Sequence, residues 1–284
     1  MRIAVTGAAG MLGQAVTAAA ERLGHAVDGF DIAGGGHEVL DITDERATRE
    51  ALAEVSPQAV INCAAYTNVD GAESDEERAL LLNGTAAGIV ARAAAGAGAK
   101  VVHLSTDYVF DGTKTDPYVE SDPTGPQSAY GRTKLAGELA LAEANPDHAI
   151  VRTAWLYGAG GPNFVETMLK LGAERDEVSV VTDQVGCPTW TGHLADALLE
   201  IAERPDTGLF HCAGAGTCSW YDFTVEIFDR AGVKCRVRPT TSEAFPRPAR
   251  RPAYSVMVSE RPEAPVLPPW QDALAAYLEE RVTA

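Results

Sequence analysis

The stretch that decides the fold is Val5-Thr6-Gly7-Ala8-Ala9-Gly10-Met11-Leu12-Gly13, near the start of the chain. A strand-like apolar run over residues 2–6 precedes it, and a segment of helical period follows over residues 14–23. Glycines spaced G-x-x-G-x-x-G allow a tight turn with positive φ, close approach of the backbone to a pyrophosphate, and close packing of helix on strand. Amides at the helix N-terminus then face the phosphate charge. We expect five cofactor-binding residues here: Gly7, Gly10, Met11, Leu12 and Gly13.

Short apolar runs alternate with amphipathic segments through the first half of the chain, which predicts an α/β fold with a doubly wound parallel sheet of the Rossmann type. The expected strands are residues 2–6, 26–30, 58–63, 100–106 and 149–153. The expected helices are residues 14–23, 44–55, 77–97 and 128–144.

Beyond residue 155 the alternation loosens, and glycines and prolines cluster at 158–162 and 239–252. Helices are expected at residues 163–171, 191–203, 220–231 and 270–281, and strands at 178–182, 209–212 and 235–238. We expect residues 1–155 to form the dinucleotide-binding domain. Residues 156–284 should form mainly a smaller C-terminal α/β substrate-binding part, with some segments packing back on the first sheet.

Composition and charge exclude several classes of protein. The 284 residues are 46% hydrophobic and 22% charged, which is typical of globular proteins and excludes disordered and collagen-like chains. A net charge of −17 argues against nucleic acid and anionic membranes as partners. Five cysteines without a C-x-x-C pair, and six scattered histidines, predict no metal site and a reducing, cytoplasmic setting. Glycines interrupt the N-terminal apolar run, which argues against a signal peptide, and no transmembrane helix is expected.

Two carboxylates extend the predicted cofactor site. Asp31 follows the second strand about twenty residues after the glycine-rich turn, where a carboxylate binds the cofactor ribose. This charge disfavours a 2′-phosphate, and no arginine directly follows it, so NADH is allowed and the choice between NADH and NADPH stays open. Asp41, followed by Ile42, could reach the adenine. The alternatives are a solvated turn acid for Asp31 and a turn cap for Asp41.

Three residues are the candidates for catalysis. Tyr130 and Lys134 stand four apart at the start of a predicted helix, so both side chains lie on one helix face. A lysine ammonium beside a phenol favours the phenolate, which predicts a lowered pKa for Tyr130. Thr106 ends a predicted strand, where doubly wound sheets bind ligands, and could hydrogen-bond a carbonyl oxygen. An ordinary Ser/Thr turn is the alternative for Thr106 alone.

The glycine-rich turn, Thr106 and the Y-x-x-x-K segment, in this order, resemble the extended branch of the short-chain dehydrogenase/reductase superfamily, which acts on nucleotide sugars. Further segments resemble the dTDP-4-dehydrorhamnose reductase family across nearly the whole chain. These segments are NCAAYTNVD at 62–70 with AES at 72–74, STDYVFDG at 105–112, YGRTKLAGE at 130–138, RTAW at 152–155 and DQVGCPT at 183–189.

The resemblance implies hydride transfer from NADH or NADPH to C4 of dTDP-4-dehydro-L-rhamnose, which gives dTDP-L-rhamnose. Tyr130 would protonate the developing alkoxide, Lys134 would tune Tyr130 and bind the nicotinamide ribose, and Thr106 would polarise the keto oxygen. The implied substrate-binding residues are Thr67, Val69, Thr106, Asp107, Tyr130, Trp155 and Arg251. The cofactor-binding residues extend to Cys63, Ala64, Ala65, Tyr66, Tyr130 and Lys134.

Three residues carry further expectations from the resemblance. A core aromatic between domains is the alternative for Trp155. Asn83 braces the helix next to the cofactor, or is a plain helix asparagine. Sugar-nucleotide dehydratases carry Thr-Asp-Glu after the strand that corresponds to residues 100–106, and Tyr108 in place of that glutamate disfavours dehydration.

Basic residues cluster near the C-terminus against the acidic background. Between residues 230 and 251 seven basic residues face one acidic residue, Glu243. Arginine suits bidentate phosphate binding, and the resemblance implies Arg251 near the substrate diphosphate, with Arg247 a weaker candidate. Solvated surface arginines are the alternative. The basic residues are Arg230, Lys234, Arg236, Arg238, Arg247, Arg250 and Arg251.

Two alternatives compete with the reductase. One is a 4-ketoreductase for another dTDP-deoxysugar, and the other is a non-catalytic regulatory homologue of the methionine adenosyltransferase partner type. The intact Tyr130, Lys134 and Thr106 favour an enzyme. The expected partner is a small nucleotide sugar. The sequence does not determine the oligomeric state, for which a homodimer is the candidate, nor the use of a divalent ion.

Overall fold

The structure is a computed structural model that describes residues 1–283. Seven strands, each parallel to its neighbours, form the central sheet, in the order β11-β6-β5-β4-β1-β2-β3. Chain order reverses between β1 and β4, and ligands bind at the carboxyl ends of strands at such a switch point. The predicted doubly wound fold is confirmed. The described strands are β1 (Arg2–Thr6), β2 (Ala26–Asp31), β3 (Glu38–Val39), β4 (Ala59–Asn62), β5 (Lys100–Thr106), β6 (His148–Thr153), β7 (Leu156–Tyr157), β8 (Glu177–Val181), β9 (Val185–Gly186), β10 (Thr189–Trp190), β11 (Gly208–His211), β12 (Cys218–Ser219) and β13 (Arg236–Thr240).

Helices cover both faces of this sheet. Leu12 and Val16 of α1 pack with Leu198 of α8 on one face. Leu52 of α2 packs with the buried faces of α5 and α6 on the other. The described helices are α1 (Met11–Arg22), α2 (Glu45–Val55), α3 (Val69–Ala72), α4 (Glu76–Leu80), α5 (Ala86–Gly96), α6 (Ala129–Ala144), α7 (Phe164–Glu174), α8 (Thr191–Glu203), α9 (Trp220–Arg230) and α10 (Trp270–Thr283).

The chain beyond residue 155 contributes residues both to the central sheet and to a separate apolar cluster. β11 extends the sheet alongside β6, with Phe210 opposite Val151. The separate cluster joins α7, α9 and α10 to the parallel pair β8 and β13. Its centre holds Tyr157, Phe223 and Trp270, all buried. The boundary at residue 155 stays a prediction, because one stretch of chain contributes to both units.

Several helices differ from the sequence prediction: α3 was not predicted, and α7 ends at Glu174 rather than at residue 171. α1 begins at Met11 rather than at residue 14, because the turn leads directly into the helix with Gly10 as its N-cap. The helix expected over residues 77–97 consists of α4 and α5 joined by a π-helical turn, Leu81–Thr85. The whole stretch, Glu76–Gly96, is long and apolar enough to cross a membrane, but 61% of its apolar window is buried inside the fold. Core helices of soluble proteins have the same property.

Candidate active site

The glycine-rich turn lies against the end of β4 and leaves no room for side chains. Gly7 has φ +70°, and a Cβ on it would stand 2.6 Å from the backbone nitrogen of Ala64. A Cβ on Gly13 would stand 2.1 Å from the carbonyl oxygen of Gly7. The first turn of α1 holds no acidic residue, so its amides present positive potential without a competing carboxylate. This cradle fits the pyrophosphate of a dinucleotide.

Asp31 lies at the edge of the same crevice. Its carboxylate accepts hydrogen bonds from the amides of Ala9, at 3.1 Å, and Ala33, at 2.9 Å. The carboxylate of Asp41 instead accepts from both the amide and the hydroxyl of Thr43, which is the turn-cap alternative. Ile42 is buried in the core beneath the sheet. The geometry therefore places Asp31 against the glycine-rich turn, and the roles of Asp41 and Ile42 stay predictions.

The π-helical turn aims Asn83 at the segment after β4. The Asn83 amide accepts from the backbone nitrogen of Tyr66, at 2.8 Å, and donates to the carbonyl oxygen of Tyr66 and to the hydroxyl of Thr133. π-Helical turns are frequent at functional sites because they redirect one side chain. Asn83 therefore braces the segment that holds the predicted cofactor residues 63–66 against α6.

The three predicted catalytic residues meet where α6 crosses the end of β5. Ser128 caps α6, and its hydroxyl accepts from the amide of Gly131 at 3.1 Å. The hydroxyl of Tyr130, in the first turn, lies beside that of Thr106 at the last position of β5. One turn later the buried Lys134 donates from Nζ to the carbonyl oxygen of Leu104 at 2.5 Å. The local helical spacing and the sheet register together produce this cluster.

The charge states in this cluster differ from the sequence prediction. The pKa of Tyr130 is raised, chiefly because its hydroxyl is desolvated and also because of the negative charge of Asp107. The expected lowering was wrong, because helical spacing carries no information on burial. Desolvation also lowers the pKa of Lys134 to about 8, against the attraction of Glu138. Near neutral pH Tyr130 therefore carries the proton that a ketone reduction consumes, and Lys134 is mostly an ammonium.

The polar side chains of Thr106 and Asp107 lie beside Tyr130. The Thr106 hydroxyl donates to Asp107 at 2.9 Å and accepts from the amide of Tyr108 at 3.2 Å, so the Ser/Thr-turn alternative is also formed. Asp107 is 2% exposed, and within residues 1–283 its Oδ2 has no hydrogen-bond partner. Burial raises the pKa of Asp107 to about 6. A buried carboxylate oxygen with free capacity can accept a hydrogen bond from a hydroxyl of a ligand.

The other residues predicted to bind the substrate include Trp155, Thr67 and Val69, and they do not share one environment. Trp155 has a left-handed backbone with φ 48°, which is rare for a bulky residue and is found at functional sites. Its indole stacks on Trp220 at 3.5 Å between ring centroids, in agreement with the core-aromatic alternative. Thr67 is exposed, and Val69 begins α3. Contact of these residues with a sugar stays a prediction.

Arg251 lines a cavity of about 200 Å³ next to the cluster of predicted catalytic residues. Its guanidinium donates to the hydroxyl of Tyr108, at 3.0 Å, and to the carboxylate of Asp70, at 3.0 Å. Tyr108 in turn packs edge-to-face on the ring of Tyr130, with 5.5 Å between centroids. Arg250 also lines the cavity.

The other basic residues of the C-terminal cluster do not form one positive site. Arg230 pairs with Glu226 on α9. Arg236 and Arg238 pair with Glu177 on the neighbouring strand. These three arginines lie away from the cavity because the segment passes through α9, β13 and a loop. Arg247 lies beside Arg251, with its guanidinium 3.8 Å from the carboxylate of Asp70.

The family model for the RmlD substrate binding domain matches residues 1–283. The chain belongs to this family. A dTDP-4-dehydrorhamnose reductase of Streptomyces griseus is 48% identical over 282 residues, 97% of this chain and 91% of the relative. A probable dTDP-4,6-dihydroxy-2-methyloxan-3-one 4-ketoreductase of Streptomyces antibioticus is 47% identical over 287 residues, 98% of this chain and 94% of the relative.

A solved member of the RmlD family has nearly the same fold. It is a dTDP-4-dehydrorhamnose reductase from Bacillus anthracis in complex with NADP, 37% identical, with a TM-score of 0.94 over 98% of this chain and 99% of that one. These similarities confirm the predicted family and the predicted class, an NAD(P)H-dependent oxidoreductase.

Within this RmlD-family chain, the roles of two residues were missed by sequence reasoning. Asp70 holds Arg251, yet the two lie 181 positions apart, so no local pattern connects them. Glu138 follows Lys134 by four residues and shares its helix face, and this spacing was a usable signal.

Proposed function

We propose that this chain reduces the C4 keto group of dTDP-4-dehydro-L-rhamnose to dTDP-L-rhamnose, with NADH or NADPH as the hydride source. The observation that carries the proposal is the meeting of Tyr130, Thr106 and Lys134 beside the Arg251 cavity, at the carboxyl edge of the sheet. The five free cysteines fit a reducing compartment, which supports a cytoplasmic location.

Thr106, Tyr130 and Lys134 each have a separate role in the proposed reduction. When bound, the reduced nicotinamide supplies the hydride. The hydroxyls of Thr106 and Tyr130 lie side by side. A keto oxygen bound beside them would accept hydrogen bonds from both and gain negative charge, with Thr106 turning its hydrogen away from Asp107. Tyr130 holds its proton firmly until an alkoxide, a much stronger base, develops beside it. Lys134 then stabilises the resulting phenolate through its positive charge.

The nucleotide end of the substrate would lie in the cavity of Arg251. Arg251 would exchange Asp70 for a diphosphate oxygen while it keeps its bond to Tyr108. Tyr108 also stands where a dehydratase carries its glutamate, and burial raises the pKa of its hydroxyl to about 12. A group that holds its proton so firmly cannot act as the base of a dehydration near neutral pH.

The second candidate is a 4-ketoreductase for another dTDP-deoxysugar. The Streptomyces antibioticus relative, named a probable 4-ketoreductase, is 47% identical to this chain, and the Streptomyces griseus reductase is 48% identical. Family membership alone therefore does not distinguish between the two sugar substrates. The intact cluster of Tyr130, Lys134 and Thr106 argues against a purely regulatory homologue.

A substrate comparison tests the proposal. The purified chain is incubated with dTDP-4-dehydro-L-rhamnose or with other dTDP-4-keto-deoxysugars, and oxidation of NADH and NADPH is followed by absorbance. We expect the highest kcat/KM for the first sugar. A higher kcat/KM with another ketosugar would select the second candidate, and no oxidation with any sugar would contradict both.

A further inference from the structure

Three successive turns of α6 are attached to three successive residues at the end of β5. Two of these attachments involve residues that the proposed function already uses, Tyr130 and Lys134. The third involves Glu138, whose carboxylate accepts a hydrogen bond of 2.5 Å from the hydroxyl of Ser105. The attached pairs are Lys134 with Leu104, Glu138 with Ser105, and Tyr130 with Thr106.

Glu138 is a buried carboxylate with a fixed orientation. It is 5% exposed and forms a bidentate pair with Arg152, at 2.9 Å from Nε and 2.7 Å from Nη2. Arg152 is 3% exposed and lies on β6 directly opposite Ser105 of β5. A buried, bidentate, additionally hydrogen-bonded carboxylate has little freedom to move. It therefore supplies a negative charge at a defined place, one helical turn beyond Lys134.

The negative charge of Glu138 is important for Lys134 because two other titratable groups that face Lys134, Cys63 and His103, are neutral. Cys63 after β4 keeps its proton, because burial raises the pKa of the thiol to about 12. Burial holds the pKa of His103 on β5 well below its usual range, so the imidazole is neutral. Glu138 is the facing group whose charge favours the ammonium of Lys134 against desolvation.

Arg152, the ion-pair partner of Glu138, also has neighbours on other elements of the fold. His211 on β11 is held neutral, because burial lowers its pKa, and Glu120 accepts a hydrogen bond from its backbone nitrogen. The guanidinium of Arg152 also lies over the ring of Phe110, 5.0 Å from the centroid. Arg152 therefore depends on Glu138 for its direct ion pair.

We propose that Glu138 is a positioning residue for the reduction: fixed by Arg152 and Ser105, it keeps Lys134 in the ammonium form and holds α6 against the end of β5. The inference rests on the role given to Lys134 in the proposed function. Replacing the carboxylate by an amide removes the attraction, so Lys134 releases its proton at lower pH. Activity at alkaline pH then falls, although Glu138 touches neither substrate nor cofactor.

The direct test is a titration of Lys134 by NMR in Glu138→Gln. The chain has five lysines, so labelling with [13Cε]lysine gives few signals, and Lys134→Met assigns the one of interest. We expect the midpoint of Lys134 to fall by about one pH unit or more relative to wild type. The alkaline limb of the kcat profile shifts by the same amount. Glu143→Gln, an exposed site on the same helix, is the matched control and keeps the wild-type midpoint.

Two further variants distinguish the effect of the lost Glu138 charge on Lys134 from an effect on folding. Glu138→Gln leaves Arg152 as an unpaired buried cation and can impair folding, whereas Glu138→Gln with Arg152→Gln removes both charges. The double variant also lowers the midpoint, because it too lacks the carboxylate that attracts Lys134. Glu138→Asp keeps the charge, so its midpoint stays closer to that of wild type.

A wild-type midpoint in folded Glu138→Gln, or in the folded double variant, would overturn the inference, even if kcat falls. The titration needs no turnover. If the wild-type chain reduces none of the ketosugars, the proposed function fails while the measurement on Lys134 still decides the electrostatic role of Glu138.

Discussion

Replacing Arg251 by alanine should weaken binding of the nucleotide sugar and leave the cofactor largely unaffected. A charge-assisted hydrogen bond is worth about 1.5–3 kcal/mol. Arg251 must first release Asp70, with which it forms a partly exposed ion pair at 3.0 Å worth about 1 kcal/mol or less. The net contribution is therefore about 0.5–2 kcal/mol, which corresponds to a rise of roughly 2- to 30-fold in KM for the sugar.

The assay is steady-state kinetics with each substrate varied in turn, supported by calorimetric titration of dTDP. Arg236→Ala is the matched control, because it removes the same charge from the same basic segment. Its guanidinium lies on β13, pairs with Glu177 and is 72% exposed. We expect this control to behave as wild type. An equal rise in KM for cofactor and sugar, or no rise for the sugar, would refute the assignment of Arg251 to the diphosphate.

Three further predictions concern catalysis and cofactor choice. Tyr130→Phe removes the proton donor, so kcat should fall by about 10²-fold or more while the Kd for NAD(P)H, measured by fluorescence, changes little; wild-type turnover would exclude the acid role. Because the pKa of Lys134 is about 8, its ammonium is lost as pH rises through this value, and kcat should decline above pH 8; a rate that stays constant to pH 10 would contradict this. Asp31→Asn removes a charge beside the glycine-rich turn and should shift the kcat/KM ratio towards NADPH by about tenfold; an unchanged ratio would place Asp31 away from the ribose.

Local patterns predicted the parts of the molecule that depend on neighbouring residues. The turn at Gly7 and the pair Tyr130 and Lys134 are such cases, because glycine spacing and helical period are properties of short segments. The contact of Asp70 with Arg251 depends on how distant segments fold together. The left-handed backbone of Trp155 depends on packing around it, which no sequence pattern contains.

The charge states were the least predictable feature of the site. The spacing of Tyr130 and Lys134 predicts proximity, but the raised pKa of Tyr130 follows from desolvation. Lys134 directs its Nζ to the carbonyl oxygen of Leu104, and this orientation depends on the register of α6 on β5. Burial of this kind is a property of the folded chain rather than of a short segment.

The most direct test of the account is the fate of deuterium from NAD(P)H deuterated at the transferring C4 position of the nicotinamide. The chain is incubated with dTDP-4-dehydro-L-rhamnose, and the product is examined by NMR and mass spectrometry. We predict dTDP-L-rhamnose with one deuterium at C4 of the hexose. A product without deuterium at that carbon, or no product with either cofactor, would contradict it.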